Sequence, residues 1–303
     1  MANLKILRNR IRSVKSTRQI TKAMKMVAAA KLRRSQERTL ATRPYSERMQ
    51  RILHSLAASV STQDGAPPLL AGRGEAGRKV ELVVFTSDRG LCGSFNSTVV
   101  RAVRSRIVKL QQEGFQVSLT CVGRKGHDVL KRQYGSLVRK THFGMGRRLT
   151  FQVAEQEVAM DLMRSFNHKE FDVCYMVFNT FRSAMSQELT WRQIIPVPQP
   201  EAPPVQAATK KGEQQEQGSF LYEPSEEELL ELLLPRNIAV QVFQALVESD
   251  ASEHGSRMTA MDNAVRNAGD MIRKLTIKFN RTRQAAITTE LMEIIGGAES
   301  LKG

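Results

Sequence analysis

Ten positions near the C-terminus, Met258, Met261, Val265, Ala268, Ile272, Leu275, Phe279, Thr282, Ala286 and Thr289, follow one another in steps of alternately three and four residues. A mean period of about 3.5 residues is that of a left-handed coiled coil, and so regular a stripe requires a second helix to cover it. The other end of the chain supplies one. Leu4, Leu7, Ile11, Val14, Thr21, Ala28 and Leu32 carry the same alternation. Arg18 and Lys25 stand where apolar residues belong in that phase, while Ile20, Met24 and Val27 form a displaced stripe, so this seam is expected to drift around its helix. Two long seams at opposite ends of one chain imply an intramolecular antiparallel pair. The Ala, Thr and Met within them favour close, adaptable packing over a bulky Leu zipper.

Helical character extends from the N-terminus to about Ser59, with a kink expected at Pro44, which removes a backbone donor and crowds the preceding turn. At 1.5 Å per residue such a helix is on the order of 80 Å long, too long to hide in a compact domain. Gly296-Gly297 and the short tail after them are expected to end the second helix near the chain terminus.

Between the seams the signals change. Lys79–Thr86, Gln116–Gly123 and Asp172–Phe181 read as buried strands rich in β-branched and aromatic residues, with Glu188–Val197 a further candidate. Helical patterns lie near Ser97–Gln112, Arg124–Tyr134 and Phe151–Asn167. Alternating strands and helices imply a layered α/β unit with a mainly parallel sheet. The expected fold is therefore α/β: a long antiparallel coiled coil of N- and C-terminal helices with an inserted Rossmann-like α/β domain. Its parts are a helix over 1–59, a flexible loop over 60–78, the α/β domain over 79–197, a second flexible loop over 198–219 and a C-terminal helix over 220–303. The loop readings rest on Gln63–Gly77, with Pro67-Pro68 and four glycines, and on Pro198–Ser219, rich in Pro, Gln, Glu and Lys.

Charge is distributed unevenly. Of a net +16, residues 1–51 contribute +13, with fifteen Lys or Arg against Glu37 and Glu47. A basic partner surface, if the chain has one, resides in that helix. No run reaches the roughly 18 to 20 consecutive apolar residues of a membrane span, and MANLKILRNR has no apolar signal core. Cys92, Cys121 and Cys174 are widely spaced, matching neither a disulfide framework nor a zinc pattern, and read as small buried hydrophobes.

Chemistry of the chain's own is poorly represented. There is no Gly-rich loop ending in Lys-Ser or Lys-Thr. Gly144-Met145-Gly146-Arg147-Arg148-Leu149 begins like a dinucleotide fingerprint but ends in Leu149, with no strong strand before it, and reads as a loop. Thr86–Asn96 follows a strand and opens a helix, where open α/β sheets place ligands; the plainer reading is a tight turn relieved by Gly90 and Gly93. His54, His127, His142, His168 and His254 show no close pairing, and no catalytic residue, cofactor site or metal site is assigned.

Particular strings nevertheless resemble a known family. Ile20–Ala30 (ITKAMKMVAAA) with Lys31, Arg34-Ser35-Gln36 and Arg43-Pro44-Tyr45, then Ser87–Gly93 (SDRGLCG), Leu221–Pro224 (LYEP) and Arg283–Glu290 (RQAAITTE) with Glu293-Ile294-Ile295 and Gly297-Ala298 are similar, in order, to rotary ATP synthase gamma subunits of bacterial type. The resemblance implies a central rotor shaft without an active site, coupling ion flow through a membrane ring to ATP synthesis. It implies as partners the alpha and beta subunits of the hexamer, the epsilon subunit and the membrane c-subunit ring. Residence would be peripheral, on the cytoplasmic face of the bacterial inner membrane. By the same resemblance Lys22, Met24 and Lys25 would lie near an acidic loop of the catalytic subunits. Arg257, Arg283, Gln284, Thr288 and Glu290 would form a catch with the catalytic subunit or support the rotor helices. Tyr222 and Glu223 would meet the ring and epsilon, and Leu291, Ile294, Ile295 and Leu301 would face the sleeve of the hexamer. The cysteine pair of the chloroplast form is missing, so thiol regulation is not implied.

Two other classes compete. A basic coiled-coil protein binding nucleic acid accounts for the +13 segment, but aromatic residues make up only 6% of the chain and no reading module is evident. A nucleotide-binding α/β enzyme with helical arms founders on the failed fingerprint.

Overall fold

The computed structural model describes residues 2–60, 67–73, 78–198 and 226–300. The chain forms two compact units, Met1–Ala30 with Arg257–Gly303, and Lys31–Ser256. Two long helices contribute to both: α1 (Ala2–Val60) and α7 (Glu226–Ser300).

In the first unit the two helices run antiparallel. Lys25 pairs with Asp262 at 2.5 Å, the Arg18 guanidinium carbon lies 3.9 Å from the point a Cβ on Gly269 would occupy, and Arg8 sits 5.7 Å from the Phe279 ring centre. The residue numbers of each pair add to the same total, so one helix descends in step as the other climbs. The C-terminal seam faces inward as its period requires: Met261 and Ala268 are buried, and Met258, Val265, Ile272, Leu275, Phe279, Thr282 and Ala286 half-buried. Thr289 is exposed.

The expected drift of the N-terminal seam does not occur. Of the displaced stripe only Met24 is half-buried, Ile20 and Val27 being each 58% exposed, whereas Leu7 and Ala28 are buried in the original phase. Arg18 and Lys25 stand in that phase opposite Gly269 and Asp262 of α7, and Lys25 pairs with the Asp262 carboxylate. α7 passes through Gly296 and Gly297 and runs to Ser300, in the short tail where its end is expected.

The second unit is built on a five-stranded sheet in the order β3-β2-β1-β4-β5. β1 (Lys79–Phe85), β2 (Gln116–Val122), β3 (Val138–His142) and β4 (Val173–Phe181) are parallel, and β5 (Gln187–Ile195) returns antiparallel along β4. Glu188–Val197 is thus a strand, shifted by a residue or two from its expected bounds. α2 (Pro68–Ala71) buries Leu70 within the stretch expected to be a loop. α3 (Phe95–Gln112) lays Val99, Val103, Ile107 and Leu110 on one face of the sheet, with Leu130 of α4 (Arg124–Tyr134). The other face takes α5 (Phe151–Val153), a π-helical stretch over Ala154–Ala159, α6 (Met160–Asn167) and the Ile238–Val247 part of α7.

α1 continues its three-and-four alternation through buried Leu32, Ser35, Thr39, Ser46, Met49, Leu53 and Leu56, and remains helical through Pro44. Its last turns join Leu230 and Leu234 of α7 in a third apolar cluster. α7 contains a window of mean hydropathy 1.2, apolar enough to cross a membrane, but 61% of it is buried. It is a core helix of this unit.

Candidate functional surfaces

Open α/β sheets bind phosphates where a strand meets a helix N-terminus. Here that place is filled by the chain itself. Asp88, just beyond β1, accepts hydrogen bonds from the Arg124 amide opening α4 at 3.2 Å and from the Gly144 amide at 2.9 Å. A carboxylate already occupies the position an anionic ligand would seek. The preceding turn is tied by Ser87, whose amide donates to Asn96 Oδ1 at 2.9 Å and whose hydroxyl donates to the Arg89 carbonyl at 2.6 Å. Strain falls on Leu91 and Gly93, both at positive φ, so Gly93 serves the turn as expected while Gly90 does not. A Cβ on Gly123 would stand 2.0 Å from the Thr86 carbonyl oxygen, and one on Gly126 2.6 Å from Thr86 Oγ1. These glycines bring β1, β2 and α4 together with no ligand space between them.

Gly144–Leu149 is a short turn that buries Met145 and Leu149. A strand does precede it, β3, which sequence patterning missed: VRKTH lacks an apolar run because it lies at the sheet edge. Burial pushes His142 below its usual range, and its Nε2 has no hydrogen-bond partner among the described residues. Among the described residues no group of His, Cys, Asp and Glu could hold a metal ion. The cysteines are buried; burial, then the Glu81 charge, pushes Cys121 up to about 12 and Cys174 well above its ordinary value. Neither is a nucleophile at neutral pH.

Sequence reasoning also missed a buried polar network. Glu81 has no exposed surface, yet it accepts from Ser118, from Thr120 at 2.5 Å and from Arg139 at 3.4 Å. Arg139 reaches on to Asp161 at 3.0 Å and Ser165 at 2.7 Å. Burial pushes the Glu81 carboxyl above its usual range, and Arg139 with the two hydroxyls pulls it back. The network joins β1, β2 and β3 to α6; a lone Glu inside KVELVVFT was its signal.

The residues assigned to partners, apart from Tyr222 and Glu223, lie in the first unit. Lys22, Met24 and Lys25 share one turn of α1, with Lys22 exposed and Met24 and Lys25 half-buried. Lys25 directs its amine at Asp262, which also receives Arg266 at 2.5 Å. Those contacts, hydrogen bonds from Lys25 and Arg266 first, hold the Asp262 carboxyl below its usual range. Arg257 is half-buried, and Arg283, Gln284, Thr288 and Glu290 are exposed, with Thr288 donating to the Gln284 carbonyl at 2.9 Å. Arg257 lies about 39 Å along the helix from Arg283, so the two belong to separate stations. Beyond Ala286, where α1 has ended in the antiparallel register, residues 287–298 are exposed throughout, including Leu291 at 53%, Ile294 at 71% and Ile295 at 51%. Leu301, Tyr222 and Glu223 lie outside the described residues, as does most of Pro198–Ser219.

Residues 3–301 match the sequence profile of the family described as ATP synthase. The ATP synthase gamma chain of Magnetococcus marinus is 62% identical over the whole of both chains, and that of Paracoccus denitrificans 51% identical over 99% of this chain and all of that one. The chain belongs to the ATP synthase gamma-chain family. Gamma chains are the non-catalytic rotor-shaft subunit of rotary ATP synthase, so this is the role of the chain, and the nucleic-acid alternative finds no support. Among solved structures, the central stalk and c-ring of Tetrahymena thermophila mitochondrial ATP synthase includes a chain 27% identical with a TM-score of 0.58, covering 81% of this gamma-family chain and 99% of that one. A chain of the Euglena gracilis mitochondrial ATP synthase, 21% identical with a TM-score of 0.68 over 99% of this chain and 95% of that one, shares the fold.

Proposed function

We propose that this gamma-family shaft turns inside a hexamer of alpha and beta subunits, with its α/β unit resting on the epsilon subunit and the c-subunit ring at the cytoplasmic face of the inner membrane. The observation that carries the reading is the tip of α7. Twelve consecutive exposed residues, 287–298, with Ile287, Leu291, Met292, Ile294 and Ile295 among them, make little sense in a free monomer and suit an apolar sleeve. Asp88 in the anion position and the Cys121 and Cys174 thiols, pushed up by burial, support a subunit without chemistry of its own.

Lys22 and Met24 are the α1 residues offered to an acidic loop of the catalytic subunits, while Lys25 acts through Asp262 to fix the helix pair that presents them. Arg283 and Glu290 stand one heptad apart and thus on one face, and with Gln284 and Thr288 they form the upper catch; Arg257 serves the lower station. Tyr222 and Glu223 are assigned to the contact with ring and epsilon. Contacts of this exposed kind contribute about 0 to 1 kcal/mol each and can be exchanged as the shaft turns. The test is a native pull-down from the source cells with a tagged chain, together with Arg257→Glu/Arg283→Glu. Alpha and beta subunits should co-purify, and the double variant should lose coupled ATP synthesis more than it loses folding. Recovery of nucleic acid without ATPase subunits, or normal synthesis in the variant, would contradict the assignment.

A further inference from the structure

Four polar residues spaced one turn apart on α7, Gln244, Glu248, Ser252 and Ser256, all reach the β4–β5 hairpin. Gln244 Oε1 accepts from Arg192 Nη1 of β5 at 3.0 Å. Glu248 Oε2 accepts from the Phe181 amide at the end of β4 at 2.9 Å, and Ser252 Oγ donates to the Asn179 carbonyl at 2.9 Å. Ser256 Oγ bonds Gln187 Oε1 at the start of β5, also at 2.9 Å. Glu248 does more than the others: its second oxygen accepts from Arg43 Nη2 of α1 at 3.3 Å, so one carboxylate, 3% exposed, joins α7, α1 and β4.

Apolar surfaces packed against one another resist separation but allow sliding, because burial has no preferred direction. Hydrogen bonds weaken steeply when bent or stretched. A buried carboxylate that loses its partners is heavily penalised, which makes its geometry stiff. A row of directional bonds placed along a helix therefore opposes both rotation of that helix about its axis and travel along it. Ile238, Ala239, Val242 and Ala245 of α7 join the apolar cluster on this face of the sheet.

We propose that this stripe is a torsional clamp that passes twist between the sheet and the helix pair, with Glu248 its central positioning residue. The proposal rests on the shaft reading and specifies where within the second unit the load is carried. Glu248→Gln keeps the shape and the acceptor for the Phe181 amide but removes the charge facing Arg43; Ser252→Ala/Ser256→Ala removes two of the other bonds at almost constant volume.

The experiment uses the complete ATP synthase in inverted membrane vesicles, carrying each variant and the two combined. Two quantities are measured per assembled complex: ATP hydrolysis and the ion gradient that hydrolysis sustains. Hydrolysis should stay within twofold of the parent, while the ratio of gradient to hydrolysis falls at least threefold in the combined variant and less in each component. A merely structural role would lower the amount of complex and leave that ratio unchanged, which would overturn the clamp. An unchanged ratio in the combined variant refutes it likewise. Failure of even the parent chain to assemble with catalytic subunits would instead refute the shaft reading on which the clamp rests, and the clamp with it.

Discussion

Replacing Arg139 by Met should unmask the cost of burying Glu81. The carboxylate has no exposed surface, and after the substitution its donors among the described residues are two hydroxyls, on Ser118 and Thr120. Removing one partner of a buried ion pair typically costs about 3 to 5 kcal/mol, because the remaining charge is left uncompensated. The reverse substitution, Glu81→Leu, should cost less, about 1 to 3 kcal/mol, since Arg139 is 18% exposed and retains Asp161. Glu81→Leu/Arg139→Met should then be clearly better than the sum of its parts, with an interaction energy of at least about 2 kcal/mol. Denaturant unfolding of the four proteins gives these differences directly. The pH dependence adds a second check. The folded Glu81 carboxyl lies above its unfolded value, so the folded state binds the extra proton, and the penalty present at neutral pH shrinks as pH falls toward the unfolded value near 4.5. Without Arg139 to pull it down the folded value rises further, so Arg139→Met should be less destabilised at pH 5 than at pH 8. An Arg139→Met protein within about 1 kcal/mol of the parent, or strictly additive substitutions, would show that Arg139 does not offset the Glu81 charge.

Three shorter expectations follow from the same geometry. Gly123→Ala should cost about 4 kcal/mol or more, since its φ is +106° and the new Cβ would strike the Thr86 carbonyl, whereas Gly114→Ala, at φ +83° with open space, should cost only about 1 to 2 kcal/mol; thermal unfolding compares them. The Asp262 carboxyl, lowered by Lys25 and Arg266, contributes stability that is present above its unfolded value and lost as pH falls through the folded one. Carboxyl NMR should show its midpoint move back up in Lys25→Met, and no movement would deny the pair. Leu291→Asp/Ile294→Asp should change the unfolding free energy by no more than about 0.5 kcal/mol per site, because both residues are exposed, while weakening co-purification with the catalytic subunits severely.

The parts of this fold legible in the sequence were those with a strong period. The α7 seam from Met258 to Ala286 was readable residue by residue, because each inward position is apolar or small. The α1 seam was misread at Arg18 and Lys25, since nothing in α1 alone says that Gly269 and Asp262 will face them. The same limit hid the Glu81 network, whose members come from four elements and whose strand β3 has no apolar run. Gly296 and Gly297 carry an intrinsic cost in a helix, yet both are helical. The family strings led to the shaft role and to the residues assigned to partners. Lys25 is committed within the helix pair, whereas Lys22 on the same turn is exposed.

A rotor shaft must turn against the subunits around it. The direct measurement is single-molecule rotation: assemble the chain with alpha and beta subunits fixed to a surface, attach a bead through a cysteine introduced at Met185, which is 84% exposed on the β4–β5 turn, and add ATP. A turning shaft gives stepwise rotation in one direction that stops when ATP is withdrawn. A bead held still on a complex that hydrolyses ATP at full rate would contradict it.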